Sequence, residues 1–372
     1  MTIVIAVLAA LLVLGVTENM LHRRALERIP IRILVNGTRG KTTVTRTIAA
    51  ALNAAGIRTY AKTTGSEARR IDPDGTETEY RAENRPVSIM EQLPFVRLAV
   101  RGKAQAIVVE CMAQRIENQF LMADKLIRPQ YVVITNAYVD HADEIGRTEE
   151  ETVHTLAQSI PEGSRVIAHD GRFGAYTREW IAPKEEIDLE RFASCPFPVY
   201  EENIQLVLAL TDALGIQRET AYAGILKTSP DIGMYTSVET GDCSIRNAFA
   251  ANDAVSFGSI INAYTQPFLL LYNHRKDRGY RMEAFAKAIR QSAAKPVCIG
   301  VIGEHKKACA RYSSAQRHTG AGGRAAKGMD SGAKRSACAL RGNIKEKAVN
   351  FWRNDRGGTA ECMISPLRSA WC

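Results

Sequence analysis

The run Val35-Asn36-Gly37-Thr38-Arg39-Gly40-Lys41-Thr42-Thr43 leaves an apolar stretch and enters a helical one. A glycine-bearing turn at that junction aims backbone N–H groups and a helix N-terminus at an anion. Lys41 then reaches the terminal phosphates, and the Thr42 hydroxyl ligates Mg²⁺. The expected ligand is ATP or another nucleoside triphosphate, with Gly37, Thr38, Arg39, Gly40, Lys41, Thr42 and Thr43 forming the cradle. The loop is short. Only Thr38 and Arg39 separate Gly37 from Gly40, where the common phosphate loop has four residues before its Gly-Lys.

Two further segments place chemistry beside this loop. Glu110 ends the apolar run Ala106 to Val109. A carboxylate at the C-terminal end of a strand, in a sheet whose first strand ends in a phosphate loop, is well placed to hold Mg²⁺. Past the run Tyr131 to Thr135 comes Asn136-Ala137-Tyr138-Val139-Asp140-His141. This puts a carboxylate and an imidazole at the same crevice.

The elements that must position these groups alternate in period. Ile31–Val35, Ala106–Val109, Tyr131–Thr135 and Arg165–Ala168 read as core strands of a mostly parallel sheet. Thr42–Ala55 and Glu201–Leu214 read as helices stopped near Gly56 and Gly215. Asp72-Pro73-Asp74-Gly75 reads as a turn. Pro267–Tyr272, Arg281–Lys295 and Val297–Ile302 form a strand–helix–strand unit, hence a second, smaller α/β domain. The expected division is a membrane anchor at 1–17, a juxtamembrane linker at 18–30, an ATP-binding domain at 31–265, and the start of a smaller domain at 266–307. Residues 308–372 remain, rich in Ala, Gly, Ser, Arg and Cys without periodicity, and read as a disordered basic tail or text read out of frame.

Net charge is +9, which invites a nucleic-acid reading, but the distribution argues against it. Residues 305–372 carry 14 Lys/Arg against 4 Asp/Glu, so the rest of the chain sums to −1. The scattered cysteines have no paired zinc spacing and fit a reducing compartment. Ile3 to Val16 is apolar without interruption. As a helix it is about 21 Å long against a hydrocarbon core of about 30 Å, a short single span. His22, Arg23, Arg24 and Arg28 follow it, which places the body of the chain in the cytoplasm by the positive-inside rule.

The short Gly-Thr-x-Gly-Lys-Thr loop together with the Thr135-Asn136 and Asp140-His141 pairs resembles the Mur ligase superfamily of ATP-dependent amide-bond-forming enzymes. Lys62-Thr63-Thr64-Gly65, Glu110-Cys111-Met112-Ala113, Phe249-Ala250-Ala251-Asn252-Asp253 and Asn273-His274-Arg275-Lys276-Asp277-Arg278 follow in order. With the apolar N-terminus they resemble the capsule-type poly-γ-glutamate synthase family, CapB/PgsB, from the anchor to about residue 305. The resemblance implies a Mur-ligase-like ATP-binding domain, a smaller Rossmann-like C-terminal domain and an N-terminal membrane helix.

It also implies an ATP- and Mg²⁺-dependent ligase that activates the terminal γ-carboxylate of a glutamate chain as an acyl phosphate for attack by the amine of glutamate. Lys41, Glu110 and His141 would be catalytic, and Thr42, Glu110 and His141 would hold metal. Asn252, Arg275, Asp277 and Arg278 would contact the nucleotide, and Lys62, Thr63 and Arg69 would receive the anionic substrate. Implied partners are glutamate, the poly-γ-glutamate chain, and small membrane subunits of a synthesis and export complex; nucleic acid is not among them. One departure is that no lysine lies between Lys125 and Lys184, where many Mur ligases carry a carbamylated lysine. A cytosolic folylpolyglutamate synthase-like ligase and a membrane-tethered P-loop ATPase without ligase chemistry are the alternatives.

Overall fold

The computed structural model describes residues 2–65, 68–80, 88–139, 144–184, 186–192, 195, 199–229, 231, 236–240, 243–248, 254–262, 268–274, 280–294, 296, 298–303 and 362–366. These fall into two compact units, Met1–Asp231 and Ile232–Cys372.

The first unit is built on eight strands: β1 (Ile31–Asn36), β2 (Thr59–Thr63), β3 (Arg69–Ile71), β4 (Glu77–Glu79), β5 (Ala106–Glu110), β6 (Tyr131–Ile134), β7 (Arg165–Ala168) and β8 (Glu179–Ile181). They lie in the order β4-β3-β2-β5-β1-β6-β7-β8. From β2 to β8 the pairing is parallel, and β3 and β4 add an antiparallel edge. The chain leaves β1 towards β2 on one side and leaves β6 towards β7 on the other. The loops after β1 and β6 therefore diverge, and a crevice opens between them at the carboxyl ends of the strands.

Period-two alternation builds three layers from this sheet. On one face Ile33, Val35, Val108 and Val133 pack with α2 (Lys41–Ala54), α6 (Glu201–Ala213) and α7 (Arg218–Ile225). On the other, Leu34, Ile107 and Val109 meet α3 (Gln92–Arg101) and the end of α1 (Thr2–Glu27), while Val132 and Ile134 meet α5 (Glu149–Ala157). The short α4 (Ile116–Phe120) runs on into a π-helical turn, Leu121–Ile127, also part of that second layer. The α2–α7 contact is close. A Cβ at Gly224 would lie 2.5 Å from the Ala51 Cα and 2.6 Å from the Ala50 carbonyl oxygen, so the small residues of α2 require a glycine opposite them.

The 18–30 segment differs from the expected linker, because α1 runs unbroken from Thr2 to Glu27. No breaker interrupts it before Pro30, and its last turns are anchored where His22 and Leu26 are buried against the body. Its first part is exposed, and the helix is long and apolar enough to cross a membrane.

In the second unit β9 (Thr236–Thr240) and β10 (Cys243–Asn247) form an antiparallel pair, and β11 (Leu269–His274) runs parallel to β12 (Cys298–Gly303). β13 (Cys362–Pro366) lies antiparallel between β10 and β11. Phe257 and Ile261 of α8 (Ala254–Asn262) and Phe285 and Ile289 of α9 (Tyr280–Gln291) cover this sheet around Phe268, Leu270 and Tyr272. Because β9 and β10 belong to this sheet, the break between units falls at Asp231, earlier than the residue 265 expected from the strand–helix–strand unit alone.

Candidate active site

The phosphate loop sits at the crevice between β1 and β6, and each of its turns has a local cause. The Asn36 side chain, buried at the end of β1, accepts from the Gly37 N–H at 2.8 Å. Its amide nitrogen donates to Gln119 Oε1 at 2.8 Å and to Ser159 Oγ at 2.9 Å. Gly37 then adopts φ +127° and Gly40 φ +79°, a region costly for any residue with a side chain. A Cβ at Gly37 would also lie 2.1 Å from Thr135 Oγ1.

Asn136, two residues past β6, clasps the loop from the side. Its Oδ1 accepts from the Thr38 hydroxyl at 2.7 Å and from the Arg39 N–H at 3.0 Å. Its amide nitrogen donates to the Arg39 carbonyl at 3.2 Å. Thr135 Oγ1 donates to the same carbonyl. The loop is thus fixed before any phosphate binds, which lowers the ordering cost of binding. α2 begins at Lys41, whose ammonium donates to the Gly37 carbonyl at 2.6 Å.

Glu110 is the centre of the arrangement. It lies opposite Val35 in the β1–β5 register, so its side chain leaves the sheet on the α2 side. There the Thr42 hydroxyl stands 3.1 Å from both carboxylate oxygens, and the Thr64 N–H donates to Oε2 at 2.7 Å. The residue is 3% exposed. Burial pushes its carboxyl above the ordinary range, opposed by the Lys41 charge and the bonds from Thr64 and Thr42. Gly65 permits this approach: a Cβ there would lie 2.3 Å from Thr42 Oγ1. The neighbouring Cys111 thiol is buried and pushed up to about 11, which makes it a poor nucleophile.

Among the described residues no three His, Cys, Asp or Glu side chains gather as a metal cluster. The hard oxygens of Thr42 and Glu110, facing each other, fit a small divalent cation that completes its shell with phosphate and water.

The substrate side departs from the sequence expectation at Lys62. In register with Val109, Lys62 points into the layer that holds α3, not into the crevice. Its side chain has no exposure; the ammonium donates to Glu91 Oε2 at 3.0 Å and lies 5.1 Å from the centre of the Tyr80 ring. It is enclosed, so it offers no direct contact to an incoming anion. Thr63 is buried, and its hydroxyl has no hydrogen-bond partner among the described residues. Arg69 pairs with Thr63 across the β2–β3 ladder and is half-buried. Thr43 is half-buried in the first turn of α2, where its carbonyl accepts from Thr47.

Asp140 and His141 lie outside the described residues, as do Asn252, Arg275, Asp277 and Arg278. Three features of the site went unread in the sequence. Asn136 acts as the clasp of the loop, and Thr64 with Gly65 holds Glu110. Asn203, in the first turn of α6, stands over Gly40, where a Cβ would lie 3.0 Å from its Oδ1. Asn136 and Gly65 lie within the Thr135-Asn136 and Lys62–Gly65 motifs; nothing local to Asn203 signals its place.

Residues 35–194 match the family model of the Mur ligase middle domain. Residues 235–353 match that of the poly-gamma-glutamate synthase CapB C-terminal domain, so the family likeness continues past residue 308. The chain is 33% identical over 312 residues to the PGA synthase CapB of Bacillus subtilis (strain 168), covering 78% of this chain and 79% of that protein. It is 33% identical over 301 residues to the capsule biosynthesis protein CapB of Bacillus anthracis, covering 75% of this chain and 64% of that one. A bifunctional folylpolyglutamate synthase/dihydrofolate synthase solved with Mn, AMPPNP and L-glutamate bound superposes with TM-score 0.53 at 14% identity, over 80% of this chain and 92% of that one. At that identity the likeness is one of fold.

Proposed function

This chain belongs to the poly-gamma-glutamate synthase CapB family of Mur-type ligases, and from that premise we propose how its residues perform the ligation. It is an ATP-dependent amide ligase of poly-γ-glutamate synthesis. The observation that carries the reading is the Glu110 carboxylate held by the Thr42 hydroxyl and the Thr64 N–H beside the phosphate loop.

A terminal γ-carboxylate oxygen attacks the γ-phosphorus of ATP, and the bond to ADP breaks. The amine of an incoming glutamate then attacks the acyl carbon of the acyl phosphate, phosphate leaves, and the amine gives up a proton. Both steps bring anions together, so the site must supply cations and donors that are already in place. The N–H groups of Gly40, Lys41 and Thr42, at the N-terminus of α2, receive the phosphates, while those of Thr38 and Arg39 are bonded to Asn136. Lys41 swings from the Gly37 carbonyl to the terminal phosphate and neutralises charge developing there. Thr42 and Glu110 hold a divalent cation, Mg²⁺ in this proposal, which supplies further neutralisation of phosphate oxygens.

From the family resemblance, His141 would hold or orient a second metal near the acyl phosphate, and Asn252, Arg275, Asp277 and Arg278 would contact the nucleotide. Thr63 and Arg69 receive the anionic substrate; Lys62 supports them from the interior. The same reading places α1 across the cell membrane, the body in the cytoplasm, and small membrane subunits beside it.

The test uses membranes carrying the full chain with its partner subunits, given Mg²⁺, ATP and labelled glutamate, with Lys41→Ala in parallel. ADP and phosphate should appear together with label in acid-stable polymer, and Lys41→Ala should abolish both. ATP hydrolysis without incorporation would turn the reading towards an assembly ATPase. Near-normal turnover by Lys41→Ala would overturn the phosphate-loop assignment.

A further inference from the structure

A second concavity opens at the carboxyl ends of the strands, on the other side of the sheet from the phosphate loop. The residues that follow β5 form one wall; Met112 among them packs with the α3 layer, whereas Glu110 turns to the α2 side. The cavity measures about 350 Å³, within the range of sites that take a small molecule. Arg115 and Asn118 of α4 line it, with Ser88 from the turn before α3 and Glu144 from the connection that follows β6. It is thus bordered by the exit loops of β5 and β6. Arg115 comes five residues after Glu110, and Glu144 three residues after His141.

Part of this lining is fixed by the body and part is not. Gln119, fully buried, accepts from Asn36 beside the phosphate loop and donates to the Gln114 carbonyl at 2.9 Å, which ties the wall to that loop. Ser88 is held in a capping box with Glu91. Arg115 differs. Its Nε stands 3.6 Å from Glu144 Oε1, beyond hydrogen-bond length, and its guanidinium makes no hydrogen bond among the described residues. The two side chains are 70% and 37% exposed, so the pair adds little to the fold. A cation and an anion stand side by side at the cavity with most of their bonding capacity unused.

An α-amino acid carries the complementary pair, a carboxylate and an amino group on one carbon. We infer that this cavity receives the incoming glutamate, with its α-carboxylate on Arg115 and its amine beside Glu144. The inference rests on the ligase reading of the chain. The polymer is the poorer fit. Along a γ-linked chain the nitrogens are amides and each residue is an anion, so it offers a partner to Arg115 and only repulsion to Glu144. Free glutamate matches both. Its amine then approaches the acyl carbon from the α3 side while the nucleotide phosphates stay on the α2 side, so nucleophile and nucleotide do not compete for one space.

Hydroxylamine separates the two halves of the reaction. Its nitrogen attacks the acyl carbon, phosphate leaves with the electrons of the broken bond, a proton is released, and a hydroxamate remains. It has no carboxylate to place. Membranes carrying the full chain with its partner subunits are given Mg²⁺, ATP and preformed poly-γ-glutamate, with labelled glutamate or hydroxylamine as the nucleophile. Arg115→Gln should raise the KM for glutamate about 10–100-fold, the scale of one lost charge-assisted contact. Glu144→Gln should raise it about five-fold, since the amide oxygen still accepts a hydrogen bond. In both variants the KM for ATP, the KM for polymer and the rate of hydroxamate formation should stay within about two-fold of wild type. An unchanged glutamate KM in both would overturn the site. A raised polymer KM with loss of hydroxamate would also overturn it, and would give the cavity to the chain end instead. Wild-type protein that consumes ATP yet forms neither polymer nor hydroxamate would overturn the ligase reading itself, whatever the variants do.

Discussion

Two buried charges lie side by side in the large sheet, and they are satisfied in opposite ways. Lys62 on β2 pairs in register with Val109, the residue before Glu110 on β5. Lys62 is closed off by a carboxylate at 3.0 Å and the face of Tyr80. Glu110 is held by neutral donors, a hydroxyl and a backbone N–H, with the Lys41 ammonium turned to its own loop. A buried charge that already has its counter-ion supports the fold around it. A buried charge with only neutral donors retains unspent attraction for a cation, and that is the arrangement a metal or phosphate site requires.

The widest separation between the two should come from removing each charge. Glu110→Gln keeps the shape and loses the cation ligand, and should lower the rate of polymer formation by about 10²–10³-fold. Thermal stability of the metal-free protein should hold or rise, since a costly buried charge has gone. An activity within a few-fold of wild type would remove Glu110 from the metal site.

Gly65→Ala probes the same region through geometry alone. Its Cβ would fall 2.3 Å from Thr42 Oγ1, so the Thr42 hydroxyl must leave Glu110. A displacement of about 1 Å at a catalytic group costs on the order of 10²-fold in rate. The expected result is a fall of roughly 10–100-fold with the fold intact by circular dichroism, and unchanged kinetics would show that the Thr42–Glu110 contact is dispensable.

Lys62→Met should show the reverse pattern. It leaves Glu91 without its cation, and because Glu91 keeps some access to water the cost should be about 2 kcal/mol, below the range for fully buried pairs. Lys62→Met/Glu91→Gln should recover most of it in denaturant titration, since both charges then leave together. Additive losses would mean that the pair is not coupled. Activity in Lys62→Met should follow the folded fraction; a fall beyond that would give Lys62 a direct part in the chemistry.

The difference between the two charges was only half legible in the sequence. Strand period and the Gly37–Thr43 spacing locate the loop, and Glu110 is recognisable as a carboxylate at a strand end. Lys62 also stands near a strand end, yet its register turns it into the α3 layer, and register depends on a partner strand far along the chain. The same limit hides Asn136 as the clasp of the loop and Asn203 above Gly40, since both act across long separations. The early break between units follows from it too, because β10 finds its place beside β13 in the C-terminal segment. Local pattern names the elements; the pairing of distant ones decides which side chains meet.

The smallest effect is one of pH, and it distinguishes the two charges without changing the net shape of either site. Burial holds the Glu110 carboxyl above its ordinary value of 4.5, so the folded protein binds that proton more tightly than the unfolded chain. Stability from this group is therefore fully present below pH 4.5 and is lost as pH rises through the elevated folded value. In metal-free protein the wild type should lose stability relative to Glu110→Gln as pH rises above 4.5. The gap should be a fraction of the whole, because Lys41 and the two hydrogen bonds oppose the shift. Added Mg²⁺ should close the gap near neutral pH, where the carboxylate is ionised, and have little effect near pH 4.5, where the proton competes. Parallel stability curves for the two proteins across that range, without and with Mg²⁺, would mean that Glu110 is satisfied as Lys62 is, by fixed partners, and that the contrast between them is not functional.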